Sequence, residues 1–560
     1  MTSYNVNKKK SYERIMPIPA LIIISLIFLI PLINTLSMAF IKDGKLTSSF
    51  VKEAFTSSYT RQILSFTVNQ AFVSTLLSLL IGLPGAYLLS NYDIRAKKTI
   101  LGICTIPFVL PSILVILGFV SFYGNNGFLN QILMSLFHLE DAPLKILYSY
   151  KAIILAHAFY NFPVILLLVS TYWDNLDPKY EMSSYVFGAS RLQTFFNVTL
   201  RRIIPSILSS SLLVFLFCFT SFSIILVLGG GPKFTTMEVE IYRRARISMD
   251  MNGAAAYSLV SIVFCVILLI LYIESQKLIS SSDSVVTTTY KKAKRPTSAV
   301  GSILSSLYFT LTGIFVLAPI ISIIAKSFIG TVSRGGAKTF TLKYYRQLFG
   351  LESSSGVMSD ATPAIFASLK IALIVALVTV PIGLSLSVAT KRKNSFSSAI
   401  IELIGMLPLA ISSVIIGLGY YLIAAKAPYL SGTALVVLAH LIISLPFAIR
   451  IITPELEKLP PSLSQSAMTL GAKPFRAFID IELPLLKNAL IKAAIFSFAT
   501  SMGEINATLV LSSSKIETIP VVMYRLIASY NFAGASALGT ILIAVCAILF
   551  ISTGSKQKVR

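Results

Sequence analysis

Glu504, Glu402, His157 and His440 stand inside long apolar runs, where an ionisable side chain needs a chemical reason. A carboxylate at membrane depth is costly unless it is paired or hydrated. Glu504, in the run 486–511, is therefore either a counter-charge for a cation on a transport path or half of a buried ion pair. Glu402 falls near the end of its run and carries less weight. An imidazole in such a run either hydrogen-bonds helix to helix or lines a path. Helix-to-helix bonding is the simpler account for His157 and His440, and Asn161 joins them as a further path candidate. No carboxylate pair, Ser-His-Asp set or activated nucleophile stands at a water-accessible place, so no catalytic site is expected. Cys104, Cys218, Cys265 and Cys546 all lie in apolar stretches without metal-ligand or redox spacing, so neither a metal site nor a cofactor is expected.

The elements that hold these side chains are membrane helices. Of 560 residues, 55% are hydrophobic and 12% charged, with a mean hydropathy of +0.80. A soluble chain carries about twice that charge. Solid apolar runs rather than short alternating segments argue against a β-barrel. Runs of spanning length fall near 18–40, 62–91, 97–122, 150–173, 203–228 and 252–274, and again near 301–328, 364–390, 396–425, 431–453, 486–511 and 533–553. Twelve all-α spans are thus expected, as two tandem six-helix units over 1–279 and 300–560, joined by a polar linker over 280–299. The run from Ile18 is too long for a cleaved signal and reads as the first span. Net charge is +24, but the basic residues fall between spans, and no basic soluble domain exists to bind nucleic acid.

Lys8 to Lys10 with Arg14, Arg95 with Lys97 and Lys98, Arg191 with Arg201 and Arg202, Lys291 to Arg295, Lys391 to Lys393, and Lys556 to Arg560 fall on one side of the membrane. The positive-inside tendency makes that side cytoplasmic, with both termini inside. The opposite side holds two basic segments that run against this, Arg243 to Arg246 and Arg334 to Arg346. The two units repeat at residue level. Leu155-Ala156-His157 returns as Leu438-Ala439-His440, Pro163 as Pro446 and Gly188 as Gly471, each 283 positions on, while Gly82 and Pro107 return as Gly383 and Pro408 at 301. Such repeats, related by an axis along the membrane normal, place a path between the two units.

Two long cytoplasmic segments stand at equivalent places, and both carry small residues before a glycine. The second reads Gln465-Ser466-Ala467, Gly471, then Ile481-x-Leu483-Pro484. The first reads Met182-Ser183-Ser184, Gly188, then Val198-x-Leu200-Arg201, with Glu181 one place before the acid position. Small residues followed by glycine allow a short helix, a tight turn and close approach to another protein. This pattern resembles the cytoplasmic EAA loop of bacterial ABC importer permeases. The second copy carries Gln465 for the acid; the first is degenerate, with Arg201 where proline is expected.

Phe219-Thr220-Ser221-Phe222, Leu228-Gly229-Gly230-Gly231-Pro232, Glu240-Ile241-Tyr242 and Tyr160-Asn161-Phe162-Pro163 are similar to the first half of thiamine importer permeases. Ferric-iron importer permeases are also fused two-unit chains, and Gly503-Glu504 with Ala507-Thr508 is compatible with either group. The resemblance implies an inner-membrane, multi-pass permease. It implies ATP-binding subunits, in two copies, docked at the paired loops, and a periplasmic or lipid-anchored solute-binding protein on the outer face. Thiamine or a thiamine phosphate is the implied cargo, with ferric iron as the alternative. An ion-coupled secondary transporter, with Glu504 and the histidines as ion sites, is the reading from a different class. No G-x-x-x-x-G-K-[ST] occurs, and Gly335-Gly336-Ala337-Lys338-Thr339 has the residue types at the wrong spacing, so ATP hydrolysis is expected on a partner.

Overall fold

The computed structural model describes residues 17–554 except 43, 95, 283–298, 333–336, 353–360, 391–395, 428 and 512–516. Most of the expected linker, the Lys8–Lys10, Lys291–Arg295, Lys391–Lys393 and Lys556–Arg560 clusters, Arg14, Arg95, Gly335 and the Glu402 side chain lie outside the described residues. Ten helices among the described residues are long and apolar enough to cross a membrane, and two bent pairs raise the number to twelve.

Each half packs around three helices. Ser58–Asn91, Tyr150–Asp174 and Leu200–Phe219 pack together in the first half, and Thr362–Thr390, Gly432–Glu457 and Lys487–Gly503 in the second. The leading helix of each half crosses to the other. Helix Ile30–Met38 packs on Ser413–Lys426, and Ala299–Ser327 packs on Lys97–Val109 and Ser112–Tyr123. The Tyr420 hydroxyl donates to the Ile27 carbonyl, and the Tyr308 hydroxyl to that of Ile81. Each leading helix is followed by a small hairpin: Ile41–Lys42 with Lys45–Leu46, and Ile329–Val332 with Ala337–Phe340.

Four of the apolar runs read as unbroken spans are in fact broken helices. The run 97–122 is Lys97–Val109 followed by Ser112–Tyr123; the run 396–425 is Phe396–Ala410 followed by Ser413–Lys426, bent by 102°. The run 203–228 stops at Phe219 and resumes as Ser223–Leu228; the run 486–511 stops at Gly503 and resumes as Asn506–Leu511. Hydropathy does not register a change of backbone direction within an apolar run.

Equivalent breaks arise from different residues. In the first half Pro111 has no amide to continue the ladder, and it drives Leu110 to an extended ψ of 139°. Its counterpart Ser412 is extended too, at ψ 141°, and its hydroxyl accepts from Val414 N at 3.1 Å as an N-cap.

Candidate functional site

Backbone broken at membrane depth is tolerated where it is buried in protein or lines a cavity. All four breaks converge on one cavity of about 240 Å³ between the two halves. Leu110, Pro111 and Ser112 line it beside Thr220 to Ile224 from the first half, and Ile411, Ser412 and Ser413 beside Gly503, Glu504 and Asn506 from the second. Aromatic side chains supply much of the remaining wall, namely Phe108, Tyr160, Phe217, Phe222, Phe447 and Phe496.

Glu504 is not inside a helix. It caps the end of Lys487–Gly503 with an extended ψ of 110°, and its Oε1 accepts from Ala507 N at 3.0 Å in the first turn of Asn506–Leu511. The Asn506 amide and the Ser413 hydroxyl also face it. These donors offset part of the cost of burying a carboxylate there. Among the described residues it makes no salt bridge with Lys, Arg or His, so the expected alternative of a buried ion pair is not what the structure contains. Its repeat counterpart, Ser221, bonds His157 Nε2 at 2.8 Å.

The two histidines bond from helix to helix. His157, 1% exposed, pairs through Nδ1 with Ser74 at 3.2 Å and so joins Ser58–Asn91 to the break after Phe219. His440, also 1% exposed, pairs through Nδ1 with Ser501 at 2.9 Å and through Nε2 with Thr508 at 2.8 Å. It thereby clamps both sides of the Glu504 break. His157 lines the cavity and His440 does not. Asn161 lines it as well; its Nδ2 donates to the His157 carbonyl at 2.9 Å, while its buried Oδ1 has no partner. Asn506, absent from the sequence-based candidates, has the same character: Nδ2 donates to Ser413 at 3.1 Å and Oδ1 is unpartnered. The signal for it was available, since Gly503, Glu504 and Asn506 together are turn and cap residues inside an apolar run.

The paired loops form the second candidate site. Each is a short helix closed by a left-handed glycine: Lys179–Val186 with Gly188 at φ +81°, and Pro461–Thr469 with Gly471 at φ +95°. Their end bonds match atom for atom. Gly188 N meets Tyr185 O at 2.9 Å and Ala189 N meets Ser184 O at 3.0 Å; Gly471 N meets Met468 O and Ala472 N meets Ala467 O, both at 3.1 Å. A side chain at either glycine would be strained by that φ. Just before each glycine stands an apolar residue almost wholly in solvent, Phe187 and its counterpart Leu470, both 89% exposed.

Ser183, Gln465 and Ser466 are exposed on the short helices, whereas Ser184 and Ala467 are half-buried. Ser184 bonds Thr194 at 2.8 Å, and Glu181 accepts from the Thr199 hydroxyl at 3.0 Å, so the acid of the first loop turns inward. Ile481, Leu483 and Leu200 are half-buried at the start of the following span, and Pro484 is exposed. Thus the glycine-bearing part of each motif faces outward, and most of the later part anchors it. That anchor is a five-residue π-helix in each half, Phe195–Thr199 and Phe478–Glu482, again 283 positions apart.

On the face opposite the paired loops, Glu240 is fully buried and accepts from Arg243 Nε at 2.8 Å and Arg244 Nε at 2.9 Å, while Arg244 also bonds Asp250. These bonds to Glu240 raise the Arg243 guanidinium above its usual pKa. The glycine run beside it is conformationally required at Gly230 and Gly231, which have φ of +72° and +126°.

Two glycine-closed helices on one face, with a cavity between repeated six-helix halves, define a two-unit membrane permease. Residues 74–273 match the family model for binding-protein-dependent transport system inner membrane components. This match and the relatives below support a fused two-unit permease of the ABC importer type, a multi-pass inner-membrane protein with ATP-hydrolysing and solute-binding partners. It is 26% identical over 504 residues to the thiamine transport system permease protein ThiP of Escherichia coli (strain K12), covering 88% of each chain. It is 27% identical over 445 residues to the ferric transport system permease protein FbpB of Actinobacillus pleuropneumoniae, covering 79% of this chain and 63% of that one. A solved bacterial ABC transporter involved in the import of the acidic polysaccharide alginate matches with a TM-score of 0.40 and 20% identity, over 50% of this chain and 99% of that one. An ATP-driven permease displaces the ion-coupled reading.

Proposed function

We propose that this chain carries thiamine, or a thiamine phosphate, across the inner membrane. Two ATP-binding subunits dock on the short helices Lys179–Val186 and Pro461–Thr469 from the cytoplasm, and both termini lie on that side. A solute-binding protein delivers cargo to the opposite face. The observation that carries the docking assignment is the pair Phe187 and Leu470, apolar, 89% exposed and repeat-equivalent. Large apolar side chains held in water at the ends of short, loosely packed helices suit a partner's groove. Closure of the two ATPases on nucleotide would push both helices together, and the halves would exchange outward and inward openings around the cavity.

Similarity to thiamine permeases over most of the chain supports the cargo. So does the cavity, which pairs one carboxylate with aromatic walls and suits an organic cation. Ferric iron is the alternative drawn from the FbpB similarity. It favours several hard anionic or imidazole donors, and no group of three His, Cys, Asp or Glu among the described residues could hold a metal. The test is uptake of labelled thiamine and labelled ferric iron by cells with and without the gene. Loss of thiamine uptake alone is expected. Loss of iron uptake alone, or of neither, would overturn thiamine as the cargo.

A further inference from the structure

We infer that the inter-unit cavity is itself a selective binding site for a small aromatic cation bearing N–H donors, a site built jointly by the two halves. The inference rests on the thiamine reading and deepens it. Four observations converge on it. Glu504 makes no ion pair with a basic side chain among the described residues and lines the cavity, so a cation entering there would be its first opposite charge. Tyr160, from the other half, lines the same cavity. Behind it stand Phe108 and Phe217, with ring centroids 6.2 Å from Phe108 to each of Tyr160 and Phe217. A cation over such rings gains most where water is excluded.

The fourth observation concerns hydrogen bonding. The Asn161 and Asn506 amide nitrogens are already committed to protein acceptors, at 2.9 and 3.1 Å, which leaves both Oδ1 atoms buried and without a protein partner on residues that line the cavity. An acceptor left so is unfavourable until a donor arrives. A ring carrying an amino group meets that need. Glu504 and Tyr160 belong to different halves, so moving the halves apart dismantles the site and lowers its affinity, which would release the cargo. The repeat counterparts of Glu504, Tyr160, Phe217 and Asn506 are Ser221, Ile443, Thr500 and Ser223, so neither half could form the site with its own double.

The test uses the permease with its ATP-binding subunits in lipid nanodiscs, without the solute-binding protein. Thiamine and its neutral isostere, with carbon in place of the thiazolium nitrogen, are titrated against wild type, Glu504→Gln, Glu504→Asp and Tyr160→Leu. Wild type should prefer thiamine by about tenfold or more. Glu504→Gln should bring that ratio to near one, Glu504→Asp should restore part of it, and Tyr160→Leu should weaken thiamine by about tenfold. A ratio between two ligands is insensitive to partial misfolding. An unchanged ratio in Glu504→Gln, or no thiamine binding by wild type, would overturn the inference. Binding-protein-dependent thiamine uptake by the wild-type complex is measured alongside. Uptake without cavity selectivity would leave the cargo assignment standing, while absence of uptake would remove that assignment as well.

Discussion

Gly419 packs directly on Pro31: a Cβ at Gly419 would lie 2.6 Å from the Pro31 carbonyl oxygen and 2.8 Å from its Cβ. The same contact recurs across the pseudo-symmetry axis, where a Cβ at Gly118 would meet Pro319 Cβ at 3.0 Å. Gly118 and Gly419 are repeat counterparts, and each receives the leading helix of the opposite half. Close backbone approach through small residues is what holds helices together in lipid, where apolar side chains gain little by leaving the hydrocarbon.

Gly419→Leu should therefore separate helix Ile30–Met38 from Ser413–Lys426 and destabilise the folded permease by about 1–3 kcal/mol. Gly118→Ala, meeting Pro319 Cβ at 3.0 Å and its carbonyl oxygen at 3.3 Å, should cost less. Gly313→Ala, with nothing within 4 Å, should be neutral or stabilising by up to about 1 kcal/mol. Thermal unfolding in detergent orders the three, and equal melting temperatures for Gly419→Leu and Gly313→Ala would refute the packing argument.

Phe187→Asp and Leu470→Asp each place a charge where a partner's apolar groove is proposed. Each should reduce copurification of the ATP-binding subunit, and the double variant should abolish it. Neither touches the core, since both side chains are 89% exposed, so folding stability should stay within about 0.5 kcal/mol of wild type. Full ATPase recovery with the double variant would move the docking surface elsewhere.

His440→Ala should leave the Ser501 and Thr508 hydroxyls without their ring partner and cost about 1–3 kcal/mol. Because both nitrogens are held by hydroxyls and the ring lies off the cavity, uptake by the wild type should show no step attributable to His440 between pH 5 and 8. Comparing pH profiles of wild type and His440→Gln checks this. A step that disappears in the variant would mean that the ring titrates during transport.

Glu240→Ala removes a fully buried carboxylate that receives two guanidinium groups, and it leaves Arg243 and Arg244 without that anchor. The expected loss is about 3–5 kcal/mol, reduced by the partial exposure of both arginines. Salt should mimic little of it, because the carboxylate itself is screened from solvent. A melting curve with and without added salt distinguishes this buried cluster from an ordinary surface pair.

Much of the loop site was readable in the chain. The offset of 283 located both short helices, and glycine at Gly188 and Gly471 is what a left-handed helix end requires. Glu181 was less transparent, since its place next to the acid position gave no hint that it would turn inward to Thr199. The cavity was legible only in part. Glu504, His157 and Asn161 stood out as polar groups in apolar runs, whereas Tyr160, Phe108 and Phe217 looked like any lipid-facing or core ring. None of the four breaks was read from the apolar runs, although Pro111 lacks the amide that a continuing helix needs; Ser412 is recognised as a cap only by the backbone amide that it meets.

Spans, repeat, broad class and the two loop motifs follow from local quantities, namely apolar run length, residue spacing and the conformational freedom of glycine. Which leading helix embraces which half, and which side chains share the cavity, depends on residues far apart in the chain, such as Gly419 packed on Pro31, and Tyr160 and Glu504 lining one cavity. Hydropathy is nearly uniform along these helices, so it cannot tell lipid from protein from a water-filled path. Only close packing of the assembled bundle separates the three.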